Sequence, residues 1–287
     1  MTGIRTCTWI AGALLLVSFL VLILHLSATG EEFSRYNLGW NGTSDFFADL
    51  DHHTVTYITV PADLSKHTNT TLLIIAPTRT ITAMEGSRYR DFVARGNTLL
   101  LADDFGTGPS FLEAMGSTIR IHPGNLSSVD RAYSDSSLAT AVFVKENPFL
   151  PAGSPLVLDH ATTLEGGTPL LTTSVFSWVN ETPNGNLTGG DVLRKYTVMT
   201  EEKIGNGTVY VLSDPSVFIN GMTGPDRQFR KNITKTPLLI DTYTSRVARI
   251  GGIAELIHSV RSNLEYKFLI AALLMACILA AWHRRII

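Results

Sequence analysis

Two continuous apolar runs, separated by a segment with strong helix signals, constrain the fold of this chain more than any other feature. The runs are Leu72 to Ala76 and Thr98 to Ala102. Apolar runs without polar alternation are typical of parallel strands that are buried on both faces. Between them, Thr82 and Glu85 stand at the capping-box spacing, and Gly96 is the natural helix stop. The pattern predicts a strand–helix–strand unit, and hence a parallel sheet with helices on its faces.

Further segments extend this α/β pattern. A short helix is predicted to begin at Ser44, a strand to cover Thr54 to Val60, and a helix to cover Pro109 to Met115. The segments Lys195 to Thr200 and Val209 to Leu212 flank a turn-forming sequence, which predicts a hairpin. Short strands are predicted in the middle of the chain at Ile119–Ile121, Ala141–Val144 and Leu156–Leu158. We therefore expect an α/β three-layer domain with a mostly parallel sheet.

Two hydrophobic segments lie near the ends of the chain. Residues 9–27 contain no acidic or basic residue apart from His25, and about 20 apolar residues span the hydrocarbon core of a bilayer. This pattern predicts a transmembrane helix or uncleaved signal anchor, with a cleaved secretory signal peptide as the alternative. Residues 266–282 predict a second transmembrane helix, and residues 243–265 predict an amphipathic juxtamembrane helix that leads into it.

The charges beside these segments predict a topology. Arg284 and Arg285 follow the second segment, and the positive-inside rule places such residues in the cytoplasm. The tails, residues 1–8 and 283–287, are therefore both predicted to be cytoplasmic. Residues 28–242 are then the extracytoplasmic α/β domain of a two-span protein of the cell membrane, with the lipid bilayer as one partner.

Seven N-x-S/T sequons between the hydrophobic segments agree with an exported domain, because N-glycosylation occurs on secreted surfaces. The alternative explanation is that the loops are simply rich in Asn and Thr. The glycosylation candidates are Asn41, Asn69, Asn125, Asn180, Asn186, Asn206 and Asn232.

The residue inventory excludes several functions. With 23 Lys+Arg against 25 Asp+Glu, the chain lacks the basic balance of a nucleic-acid-binding protein. Its two cysteines, Cys7 and Cys277, lie beside or inside the hydrophobic segments, so the domain between them has no cysteine nucleophile and no zinc-binding thiolate. The segment Gly106 to Ser110 matches neither G-x-S-x-G nor G-x-G-x-x-G, so neither a serine hydrolase nor a nucleotide site is expected. We predict no metal and no cofactor.

Several segments resemble a known group of proteins. The resemblance rests on Tyr36-Asn37, Gly42-Thr43-Ser44, the LLIIAP run, the segment Val93 to Asp104, and Leu212 to Asn220. These segments resemble an uncharacterised family of prokaryotic membrane-anchored proteins, a domain of unknown function. That family belongs to the flavodoxin-like, class I glutamine-amidotransferase-like group, and it is similar to the auxiliary domain of gliding-type ABC transport systems. The resemblance implies a flavodoxin-like fold and no established activity.

Polar residues follow three of the predicted strands. Thr78 and Arg79 follow the first apolar run, Asp103 and Asp104 follow the second, and Asp214 follows the last strand. Because ligands bind at the carboxyl ends of strands in open parallel sheets, these residues predict a cation or polar-ligand site. Alternatively, the aspartates cap helices or order turns. The candidate ligand-binding residues are Asn37, Ser44, Thr78, Arg79, Asp103, Asp104, Asp214, Ser216 and Asn220.

We interpret the chain as a non-catalytic accessory or binding subunit of a membrane assembly, for transport or envelope maintenance. The predicted tails are too short to act inside the cell alone, so an integral-membrane protein is the expected partner. Two alternatives stay open, namely an exported hydrolase or cation-dependent enzyme that uses the Asp cluster, and a solute sensor. Asp159-His160 is interpreted as a turn after a strand rather than as a catalytic dyad.

Overall fold

The computed structural model describes residues 18–19, 29–50, 55–131, 135, 137–143, 145, 147–151, 154–180 and 187–250. Every strand and helix given below lies within Glu32–Arg249, which forms one structural unit. The strands are β1 Val55–Ile58, β2 Thr71–Ile75, β3 Thr98–Ala102, β4 Arg120–His122, β5 Asn125–Ser128, β6 Thr140–Phe143, β7 Pro155–Val157, β8 Thr163–Glu165, β9 Thr168–Thr173, β10 Ser177–Asn180, β11 Thr197–Ile204, β12 Gly207–Leu212 and β13 Leu238–Asp241.

Within the described residues, nine of these strands form one sheet in the order β1-β13-β2-β3-β12-β11-β9-β6-β7. The neighbouring pairs from β1 to β12 are parallel, and those from β12 to β7 are antiparallel. Strands β10 and β5 form a separate antiparallel pair, as do β4 and β8.

The prediction of a mostly parallel, flavodoxin-like three-layer domain is therefore wrong, because half of the main sheet is antiparallel. The change of direction begins at the β11–β12 hairpin, whose turn places Gly205 at a φ of 57°. The hairpin itself was predicted, and it is confirmed. Strands β9, β6 and β7 then continue the sheet by antiparallel pairing, so the chain adopts a mixed, sheet-rich α/β fold.

The helices are α1 Ser44–Ala48, α2 Ala83–Ala94, α3 Gly108–Ala114 and α4 Arg227–Ile233, with 3-10 helices at Pro61–Lys66, Pro215–Phe218, Asn220–Met222 and Arg246–Ala248. Helix α2 begins with the predicted capping box. The Thr82 amide donates to Glu85 Oε2 at 2.8 Å, and the Glu85 amide donates to Thr82 Oγ1 at 3.2 Å. Gly96, with a φ of 104°, follows the end of the helix as expected.

The two faces of the main sheet pack against separate hydrophobic clusters, which explains the continuous apolar runs. In β2, Leu73 and Ile75 belong to one cluster, whereas Leu72 and Ile74 belong to the other. Burying a side chain of this size stabilises the fold by about 1.5–3 kcal/mol. A strand covered on both sides has no solvent-facing position at which a polar residue would be favoured.

The prediction of flanking transmembrane helices, and with it the two-span localisation in the cell membrane, is corrected. Among the described residues no helix is long and apolar enough to span a bilayer. Helix α2 has 12 residues, whereas a span needs about 20. Residues 9–27, apart from 18–19, and residues 266–282 lie outside the described part of the chain. So does the predicted juxtamembrane helix beyond residue 250.

Candidate functional site

A cleft of about 360 Å³ lies at the carboxyl ends of the parallel strands. Strands β2, β3 and β12 are neighbours in the sheet, so the residues that follow them meet at the same edge, as the sequence predicts. Of the predicted site residues, Asp103, Asp104 and Ser216 line this cleft. The other lining residues are Glu32, Phe33, Trp40, Ala76, Phe105, Gly106, Asp159, His160, Ile219 and Arg246.

Asp103 is fully buried beneath the loop that joins β3 to α3. Its Oδ2 accepts a hydrogen bond from the amide of Gly108 at 2.6 Å, and its Oδ1 has no hydrogen-bond partner among the described residues. A Cβ on Gly106 would lie 2.3 Å from Oδ1, and a Cβ on Gly108 would lie 2.4 Å from Oδ2. Both glycines therefore leave room for the carboxyl group.

The two acidic groups of this loop resist ionisation. Burial, together with the nearby Asp104 carboxylate, raises the pKa of Asp103 to about 7. Burial also raises the pKa of the half-buried Asp104 to about 6, although its Oδ1 accepts from the amide of Phe105 at 2.5 Å. A raised pKa in a cleft is a property of functional sites and also of structural carboxyl groups.

Asp214 connects two loops at the end of β12. It is fully buried; its Oδ1 accepts from the amide of Ser216, and its Oδ2 accepts from the amide of Asp159, each at 2.7 Å. The first bond caps the 3-10 helix Pro215–Phe218, and the second holds the turn at residues 159–160 against the strand end. Burial raises the pKa of Asp214 well above its usual range. Asp214 therefore orders the backbone of two loops that form the cleft.

The turn held by Asp214 presents a hydrogen-bonded His–Asp pair to the cleft. His160 Nδ1 lies 2.7 Å from Asp159 Oδ1, and this hydrogen bond raises the pKa of His160. On another wall, Arg246 Nη1 donates to Glu32 Oε2 at 2.8 Å. Sequence reasoning interpreted Asp159-His160 as a turn, which is correct for the backbone but omits its place in the cleft.

Backbone strain is concentrated at this cleft. Of the four described non-glycine residues with positive φ, three line it, namely Phe33 (58°), Ala76 (45°) and His160 (57°). Such conformations cost on the order of 1–3 kcal/mol each and persist only where the surroundings impose them. The strain indicates a preorganised surface rather than an incidental groove.

Asn37, Ser44 and Asn220 meet, but their hydrogen bonds hold the fold together, and the Asn220 side chain donates to the carbonyl of Asn37 at 3.3 Å. The Asn220 side chain donates to the Gly39 carbonyl at 2.7 Å and to Ser44 Oγ at 3.0 Å, and it accepts from the Asp45 amide at 2.9 Å. These bonds hold the loop that precedes α1. The loop carries Trp40, which lines the cleft and is 69% exposed.

Thr78 and Arg79 do not line the cleft. The amide of Thr78 donates to the carbonyl of Thr244 at 3.0 Å, and the guanidinium of Arg79 lies 4.0 Å from the ring centroid of Tyr243. The Tyr243 hydroxyl donates in turn to Glu85, the capping residue of α2. Arg79 is therefore linked through Tyr243 to the start of α2, and neither of these two predicted site residues belongs to the cleft.

The sequons differ in accessibility. Asn69 and Asn206 are exposed, whereas Asn180 and Asn232 are buried, and the Asn232 amide donates to the carbonyl of Phe149. Asn186 lies outside the described residues. Asn41 and Asn125 are half-buried. Glycosylation stays a prediction, and the exposed pair is the better placed to accept a glycan.

In the part of the chain that the structure describes, no group of three or more His, Cys, Asp or Glu side chains could hold a metal ion. Among the acidic residues that line the cleft, Asp103 and Asp104 are neighbours on one loop, and both accept hydrogen bonds from backbone amides. The lining instead combines charged pairs with two exposed rings, Trp40 and Phe105. Such a surface is suited to binding a polar partner group with aromatic contacts around it.

Residues 35–230 match the family model described as Domain of unknown function (DUF4350). The chain belongs to this family. This confirms the predicted membership of an uncharacterised domain family, and the matched residues include most of the cleft. No curated protein sequence matches this DUF4350 chain significantly.

Solved structures show only distant similarity. The mmIFT52 N-terminal domain matches with 14% identity and a TM-score of 0.45, over 60% of this chain and 77% of that chain. A beta-galactosidase from Bacillus circulans sp. alkalophilus matches with 17% identity and a TM-score of 0.35, over 57% of this chain and 22% of that one. The beta-galactosidase from Halorubrum lacusprofundi matches with 14% identity and a TM-score of 0.37, over 62% and 23%. At these TM-scores the similarity carries no conclusion about this DUF4350 chain.

Proposed function

We propose that this chain is a non-catalytic binding or accessory subunit of a larger assembly, and that the cleft is its contact site. The main support for this proposal is the hydrogen bonding of three aspartates at the cleft. Asp103, Asp104 and Asp214 each accept hydrogen bonds from backbone amides of the loops around the cleft. Carboxyl groups engaged in this way order the loops around the cleft, which supports a structural role for them.

The cleft has the components of a recognition surface. Its loops are held in strained conformations, so little conformational entropy is lost when a partner binds. Trp40 and Phe105 are 69% and 55% exposed, and aromatic side chains dominate the binding energy of many protein interfaces. The pairs Glu32–Arg246 and Asp159–His160 supply hydrogen-bonding groups beside them.

The partner that we propose is an integral-membrane protein of a transport or envelope assembly. This part of the proposal rests on the resemblance to the auxiliary domain of gliding-type ABC transport systems. The segments that carry the resemblance include Val93 to Asp104 and Leu212 to Asn220, both of which reach the cleft.

Crosslinking and affinity purification from the native membrane fraction test this proposal. The full chain is compared with Phe105→Ala and with Phe176→Ala, a matched control because Phe176 is 54% exposed and lies outside the cleft. We expect one membrane protein to be recovered with the wild type and with Phe176→Ala, and about tenfold less of it with Phe105→Ala, since tenfold corresponds to about 1.4 kcal/mol. Equal recovery with all three would contradict the cleft as the contact site.

An enzyme that uses the acidic loop is the second candidate, favoured by the raised pKa values of Asp103 and Asp104 at a formed cleft. Wild type, Asp104→Asn and the exposed-residue control Asp91→Asn can be assayed on nitrophenyl esters, phosphates and glycosides with and without Mg²⁺. Turnover that Asp104→Asn abolishes and Asp91→Asn retains would establish the enzyme and overturn the non-catalytic proposal.

A further inference from the structure

A second cavity, of about 330 Å³, lies between α1 and α4 and shares no lining residue with the cleft. Phe46 and Leu50 give the cavity an apolar floor. Arg227, Arg230 and Lys231 of α4 also line the cavity, at the three- and four-residue spacing that places side chains on one face of a helix. The cavity therefore combines apolar contact area with several cations.

Arg230 is the unusual member of this set, because it is a buried charge without an ion pair. It is 5% exposed, and its guanidinium donates to the carbonyls of Val217 and Ile219 and to the hydroxyl of Thr223. All three acceptors are neutral, and no described carboxylate forms a salt bridge with it. These bonds use three of the five N–H donors of a guanidinium, which leaves two.

The charge of Arg230 is correspondingly under-compensated. Burial lowers the pKa of Arg230 to about 10, and the nearby carboxylates of Asp226, Asp45 and Asp49 only partly oppose this effect. Buried charges in proteins are normally paired or bound to a counter-ion. An anion in the adjoining cavity would supply the missing charge.

The other charged residues that line the cavity also favour an anionic ligand. Arg227 and Lys231 are exposed, and neither forms an ion pair with a described residue. Asp49 is the one carboxylate on the lining, so three cations stand against one anion. Thr223 and Thr234 add hydroxyl groups. The balance favours a negatively charged ligand.

We propose that this cavity binds a small organic anion, with its carboxylate or phosphate group against Arg227, Arg230 and Lys231 and its apolar part against Phe46 and Leu50. The site is independent of the cleft and of the function proposed for it. Phosphate and carboxylate ligands share the chemistry that guanidinium groups recognise. The apolar floor distinguishes the expected ligand from an inorganic ion.

Isothermal titration of the full chain with phenyl phosphate, benzoate, inorganic phosphate and benzyl alcohol tests the proposal. We expect phenyl phosphate or benzoate to bind more tightly than inorganic phosphate, which lacks an apolar part, and more tightly than benzyl alcohol, which lacks charge. The double variant Arg227→Gln/Lys231→Gln should weaken binding of the aromatic anion at least tenfold. The control Arg88→Gln/Lys66→Gln removes the same charges from exposed positions outside the cavity and should leave binding unchanged.

Asp49→Asn supplies a test in the opposite direction. Because Asp49 is the carboxylate on the lining, its removal should tighten anion binding about threefold, and thermal unfolding of each variant checks that it folds. Equal affinity of the aromatic anion for both double variants would overturn the proposal. So would binding of benzyl alcohol as tight as that of the anions, because the cavity would then be only apolar.

Discussion

Asp103 Oδ2 accepts a hydrogen bond from the amide of Gly108 at 2.6 Å, which joins the residue after β3 to the first residue of α3. The four intervening residues form the loop that lines the cleft, and the carboxyl group fills the space below it. At Gly106 and Gly108 a Cβ would clash with the Asp103 carboxyl group, so the loop approaches it closely at both positions. The loop's shape therefore depends on an acid and two glycines together, and each can be tested.

Gly106→Ala should destabilise the protein by about 1–3 kcal/mol, the usual cost of overpacking. The new Cβ would lie 2.3 Å from Asp103 Oδ1 and 2.5 Å from the carbonyl oxygen of Pro77, so the backbone must move. Gly189→Ala is the control, because a Cβ there meets nothing within 4 Å. Urea unfolding measures both variants, and equal midpoints would contradict the close packing of this loop.

Asp103→Asn should reduce the dependence of stability on pH. The pKa of Asp103 is raised from 3.8 to about 7 in the folded chain, so the folded state holds this proton more tightly and stability falls as pH rises through that range. The variant has no such proton, and its slope between pH 5 and 7 should be smaller by up to about 1.4 kcal/mol per pH unit. Other carboxyl groups with raised pKa values, among them Asp104, Asp214 and Asp226, maintain the remaining slope.

Urea unfolding of the wild type, Asp103→Asn and Asp91→Asn at pH 5, 6, 7 and 8 measures these slopes. Asp91 is exposed on α2 and serves as the control for loss of a carboxylate. An unchanged slope in Asp103→Asn would show that the folded and unfolded states bind the Asp103 proton equally.

Asp214→Ala should destabilise the protein by about 2–4 kcal/mol, because the buried amide of Ser216 and the partly buried amide of Asp159 both lose their acceptor. Asp214→Asn keeps one acceptor oxygen and should cost less. Differential scanning calorimetry compares the two variants. If Asp214→Ala unfolded at the same temperature as the wild type, the two hydrogen bonds would contribute nothing to stability.

Asn220→Ala should loosen the loop that carries Trp40. The variant removes the side-chain bonds to Asn37, Gly39, Ser44 and the Asp45 amide, so amide hydrogen exchange over residues 37–45 should accelerate about tenfold or more. Asn206→Ala, in an exposed hairpin turn, is the control. Unchanged exchange would mean that other contacts hold this loop.

Local signals in the sequence determined much of the chain's secondary structure. Strands β2 and β3 and helix α2 form where predicted, because continuous apolar runs and a capping box act over a few residues. Strand β13 was missed. Its four residues follow Pro237 and carry no turn or alternation signal, yet in the fold they lie between β1 and β2.

The candidate site, too, was predicted from the sequence only in part. The sequence by itself placed Asp103, Asp104 and Ser216 at strand ends, and the parallel pairing of β2, β3 and β12 brings them to one cleft. Only the tertiary structure joins Glu32 to Arg246 across 214 residues, because no spacing rule relates positions so far apart. The tertiary structure alone also showed which carboxyl groups bond to backbone amides and which cation is buried without an ion pair. Burial and partners depend on how distant segments pack.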